Sequence, residues 1–117
     1  MSGLDMPLVQ MTWERAMGVV FDKSSQFPKV LRHTLTNRIE SMSLDVLEHL
    51  IEARFATGSV RRSALQRADR RLAQLRALVR FAHARHALDH RGLEQISVAL
   101  DESGRQIGGW LKHEASA

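Results

Sequence analysis

Between Leu65 and Ala82 the residues Leu65, Ala68, Leu72, Leu75, Val79 and Ala82 fall alternately three and four positions apart. That spacing lays one apolar stripe along an α-helix and suits no strand, whose faces repeat every second residue. Such a stripe must be covered, and the rest of the chain offers the same kind of cover. Trp13, Ala16, Met17, Val20, Phe21 and Ser24 recur at helical spacing, as do Leu31, Leu35, Ile39, Met42, Val46, Leu50 and Ala53. Leu93, Ile96, Leu100, Ile107 and Leu111 make a fourth set. Alternating apolar and polar runs and Asn-Gly turns are absent, so hairpins are not expected.

The breakers fall between these sets, at Pro28, Gly58 and Gly92. Helices are therefore expected over about residues 9–25, 28–57, 63–88 and 90–113. Pro28 suits a first turn, where a missing N–H loses no partner. Gly58 is read as the stop of the second helix. The third is placed to start at Ser63, because Ser63-Ala64-Leu65-Gln66 spells a capping box. Asp89 is the natural N-cap of the fourth. Gly104 and Gly108, each costing about 1 kcal/mol inside a helix, are read as points of close helix approach. Short connections make neighbours antiparallel, so the expected fold is all-α: one up-down-up-down four-helix bundle over 1–117.

The 117 residues include no cysteine, which removes disulfides, thiol catalysis and cysteine-bound metals. No apolar run reaches the roughly 20 residues a bilayer requires, and Met1 to Gln10 lack the basic start of a signal peptide. The expectation is a cytoplasmic protein without membrane contact. His83, His86 and His90 share a helical face. With no carboxylate or thiolate beside them they read as ordinary helix-end residues, and no metal or other cofactor is expected. Nucleophile elbow, P-loop and zinc-protease motifs are missing, so no enzyme is expected and no catalytic residue is assigned.

Charge is unevenly placed. The net +4 hides a stretch from Ser59 to Asp89 that holds eight Arg and two Asp. Arg67, Arg70, Arg71 and Arg85 lie on one flank of helix three and Arg76 and Arg80 on the other, with Arg61 and Arg62 just ahead. Guanidinium forks suit phosphate, so a polyanionic partner is indicated, contacted through its backbone and shape. Two helices also carry apolar residues beyond one core face: Leu44, Leu47, Ile51 and Phe55 on helix two, and Leu78, Phe81 and Leu88 on helix three. These make either a broad core face or a subunit interface. The second is preferred, because a large bare apolar patch is costly.

Three stretches carry a family resemblance: Phe27-Pro28-Lys29, the helix-three run from Leu72 to Ala82, and Gly104-Arg105-Gln106-Ile107-Gly108-Gly109-Trp110-Leu111. Leu50 to Arg54 supports them. Together they resemble the accessory variability protein of diversity-generating retroelements. That family is a branch of the four-helix proteins encoded by intervening sequences in bacterial ribosomal RNA genes. The resemblance implies a homopentameric ring that binds template RNA and RNA–DNA hybrid and partners the element's reverse transcriptase in mutagenic cDNA synthesis. It makes Arg76 and Arg80 the leading nucleic-acid candidates and adds Lys29, while Arg61, Arg62, Arg67 and Arg71 come from charge alone. It turns Leu44, Leu47, Ile51, Phe55, Leu78 and Phe81 into candidate ring contacts. Trp110 and Arg105 are read as structural. The competing reading is a four-helix interaction protein of the ribosomal intervening-sequence type, with the same fold and a different partner.

Overall fold

The computed structural model describes residues 5–116. Four α-helices account for nearly all of them: α1 (Met6–Ser24), α2 (Asn37–Phe55), α3 (Gly58–Ala84) and α4 (His90–Ser116). Among the described residues there is no strand. Cross-helix contacts fix the directions. Arg54 donates to Gln10 at 3.0 Å while Ser24 donates to Glu40 at 2.5 Å, so α1 and α2 are antiparallel. Arg67 meets Glu52 and Arg71 meets Asp45, which sets α3 against α2. Arg61 meets Glu114 and Arg76 meets Asp101, which sets α4 against α3. The result is an antiparallel four-helix bundle measuring 46 × 24 × 19 Å.

Its core follows the periodicity except at Phe21 and Leu31, which were expected on the apolar faces and are only half-buried outside it. All six stripe residues of α3 are buried, as are Ile39, Met42, Val46, Leu50 and Ala53 of α2. Trp13 and Trp110 are the two largest enclosed side chains. Trp13 Nε1 donates to the Ser43 carbonyl at 3.0 Å, joining α1 to the middle of α2. Among the described residues, Thr12 Oγ1 on α1 and Ser103 Oγ and Trp110 Nε1 on α4 are buried without a hydrogen-bond partner.

Helix ends depart from the expected boundaries more than helix faces do. The segment after Pro28 is not yet α-helix. A 3₁₀ turn (Lys29–Leu31) leads into a π-helical turn (Arg32–Thr36), and regular helix begins only at Asn37. α2 then stops at Phe55, with Ala56 and Thr57 extended. α3 starts at Gly58, which takes φ +56°, and not at Ser63. The Ser63 capping box does not form; Ser63 Oγ instead accepts from Arg67 one turn on. The earlier start is held by Arg61, whose Nε donates to the Ala53 carbonyl at 2.9 Å and whose Nη2 reaches Arg54 O.

α3 ends at Ala84, four residues before the expected boundary. Ala87 N donates to Ala82 O and His86 N to His83 O, the paired bonds of a Schellman stop. His86 fills its left-handed position at φ 64°. Leu88 consequently leaves the outer face of α3 and is buried, at 6% exposure. Asp89 caps α4 as expected, accepting from Gly92 N at 2.7 Å, and Asp5 does the same for α1 from Leu8 N.

The two helix-four glycines part company. A Cβ at Gly104 would lie 2.6 Å from Arg76 Nη2, so this glycine does let a neighbour cross closely. At Gly108 and Gly109 a Cβ would meet nothing within 4 Å, which removes close approach inside the chain as the reason for Gly108. Gly108→Ala and Gly109→Ala are each expected to raise stability by about 1 kcal/mol. Urea unfolding reads this directly. A lowered midpoint would mean that another surface fills that space.

Candidate nucleic-acid interface

α3 lies between α2 and α4, so its arginines face two grooves. Toward α2, Arg67 pairs with Glu52 and Arg71 with Asp45, the latter at 3.3 Å. Toward α4, Arg76 pairs with Asp101 and donates to the Leu100 carbonyl at 3.2 Å. Arg61 is more deeply committed. Its side chain is 17% exposed, sits 3.6 Å from Glu114, and lies 5.8 Å over the Trp110 ring in addition to its α2 carbonyl bonds. Four of the seven sequence candidates are therefore engaged within the chain.

The others are differently placed. Arg62 and Arg80 on α3, and Lys29 on the 3₁₀ turn, are exposed and have no partner among the described residues. The same holds for Arg70 and Arg85, which were seen on the α3 flank but not placed among the sequence candidates. Their signal was absence of an acid one helix away, which a single helix pattern does not carry. Arg105, expected to be structural, is likewise exposed and has no partner among the described residues. Trp110 is a core residue at 1% exposure. This leaves guanidiniums at both flanks of α3 able to donate planar, permanently charged forks to an outside anion.

The surplus apolar residues fall into two groups. Leu44, Ile51 and Phe55 ride exposed on the outer ridge of α2, with Leu47 half-buried beside them. Phe81 is exposed, and Leu78, half-buried, packs on the core. Arg54 covers Phe55, its guanidinium carbon 4.9 Å from the ring centroid. The histidines do not share a helical face, because His86 lies beyond the end of α3. His83 Nδ1 is 2.9 Å from the Leu88 carbonyl and its ring 6.2 Å from His90. Among the described residues no three potential ligands gather as for a metal, and no helix is long and apolar enough to cross a membrane.

Fold and surface together define an antiparallel helical bundle whose third helix displays arginine on two flanks. Comparison narrows the class. The family model for bAvd-like proteins matches residues 7–114, nearly the whole chain. The chain belongs to the bAvd-like family, the accessory variability determinants that its helix-three and helix-four motifs resemble. No curated protein matches the sequence at a significant level.

Proposed function

We propose that this chain is a non-catalytic accessory subunit of a diversity-generating retroelement. It acts in the cytoplasm as a homopentameric ring. It binds template RNA and RNA–DNA hybrid through its arginines and partners the reverse transcriptase during error-prone cDNA synthesis. The observation that carries the reading is the set of exposed guanidiniums on α3 that no carboxylate among the described residues neutralises, in a member of this family. Arg80, Arg62 and Lys29 supply the phosphate contacts, helped by Arg70 and Arg85. Arg76, Arg67 and Arg71 contribute only as far as their ion pairs yield, and Arg61 serves the fold. The outer ridge of α2, with Leu44, Ile51 and Phe55 most exposed, meets the neighbouring copy.

Filter binding to a structured RNA at rising salt tests the nucleic-acid part. The affinity should fall linearly on logarithmic axes, and Arg62→Ala with Arg80→Ala should flatten the slope by about 0.7–0.9 per lost phosphate contact. Absent or salt-independent binding overturns it. Light scattering tests the assembly. Five-copy mass is expected, and a monomer at every concentration removes the ring together with its contacts.

A further inference from the structure

The groove between the π-helical turn, α2 and α3 combines features that a purely phosphate-binding surface does not need. It encloses about 470 Å³ and has a floor of Leu31, Leu35 and Leu78. Phe81 stands in it at 53% exposure. His33, Arg38 and Arg85 rim it, and among the described residues none of their side chains has a partner and no Asp or Glu lines the groove. Asn37 and Ser41 add hydrogen-bonding groups at its edge. Farther along the same α2–α3 flank lies a second groove with Arg70, about 22 Å from Arg85 at 1.5 Å per helical residue.

We infer that this groove takes one unstacked base of a single-stranded nucleic acid, with Phe81 as the stacking face. Arg38 and Arg85 hold the flanking phosphates, and the strand continues toward Arg70. The inference rests on the nucleic-acid reading above and deepens it by assigning a strand state and a base site. An aromatic face beside a cationic track is how single strands are held without sequence preference, because every base has a π-face and every linkage a charge. Charge complementarity excludes a basic occupant. Asn37 and Ser41 match base edges, which unpaired nucleotides present and duplexes conceal. Phe55 is the more exposed ring, but Arg54 already covers it. The same inference removes Phe81 from the ring contacts and gives it to the ligand.

The test compares an oligouridine of about twelve nucleotides with an abasic strand and a duplex of the same length. Wild-type protein should prefer the base-bearing strand over the abasic one by about tenfold, the order that one stacked base contributes. Phe81→Ala should abolish that preference, leaving abasic and duplex binding, and the light-scattering mass, unchanged. Phe81→Trp should keep the preference and report it as quenched emission, since Trp13 and Trp110 are enclosed. Equal binding of all three probes, insensitive to Phe81→Ala, overturns the base site while sparing the wider nucleic-acid reading. No binding of any probe overturns both. Loss of assembled mass in Phe81→Ala, with all probes weakened together, makes the groove a protein contact and overturns the inference.

Discussion

Trp13→Ala is expected to cost ~3–5 kcal/mol, the range for removing a large aromatic from a closed core. Against a total stability of roughly 5–15 kcal/mol for a domain of this size, that removes from about a fifth to all of the margin. Two losses combine. The indole is fully enclosed, so its removal opens a cavity between α1 and α2. Its Nε1 bond to the Ser43 carbonyl is also lost, which removes the central polar tie of α1 to α2. Trp13→Phe separates the terms: it keeps most of the volume, gives up the bond, and should cost nearer 1 kcal/mol. Thermal unfolding followed by far-ultraviolet circular dichroism reads both. A Trp13→Ala protein as stable as wild type would mean that α1 is not docked as described.

Arg61→Ala is the second large effect, and it contrasts with its sequence neighbour. Removing Arg61 releases the Ala53 and Arg54 carbonyls at the end of α2, leaves Glu114 without its cation and uncovers Trp110. Hydrogen bonds from a charged group contribute about 1.5–3 kcal/mol each. With discounting for partial exposure and the long second bond, a total loss of about 2 kcal/mol is expected. Arg62→Ala, exposed and unpartnered, should stay within about 0.5 kcal/mol of wild type and weaken RNA binding instead. Measuring stability and binding on both variants checks the assignment. If Arg61→Ala unfolds no more easily than Arg62→Ala, Arg61 belongs to the ligand surface after all.

These two arginines show where the sequence was readable and where it was not. The buried faces were legible because a period of three and four needs only local information: Leu65 to Ala82 and Ile39 to Ala53 are core in both descriptions. The Asp89 cap was legible for the same reason. The start of α3 was not. Ser63 to Gln66 is a valid local signal, but the helix gains one more turn because Arg61 reaches back eight residues to Ala53, a tertiary contact that no window reveals. Charge was legible as a total and illegible as a surface. Whether an arginine is free depends on what the neighbouring helix places opposite it: Glu52 faces Arg67, Asp45 faces Arg71 and Asp101 faces Arg76, while nothing acidic among the described residues pairs with Arg70 or Arg80. Leu88 was misplaced because the Schellman stop at His86 ends the helix before that residue is reached.

The wide turn from Arg32 to Thr36 has a consequence for how this molecule tolerates change. A regular helix advances each side chain by a fixed angle, so an insertion or deletion would rotate everything after it. A π turn carries about one extra residue per loop of backbone and absorbs that rotation locally. A one-residue deletion within Arg32–Thr36 is therefore expected to leave a regular helical turn there, with Ile39 and the core behind it still in phase.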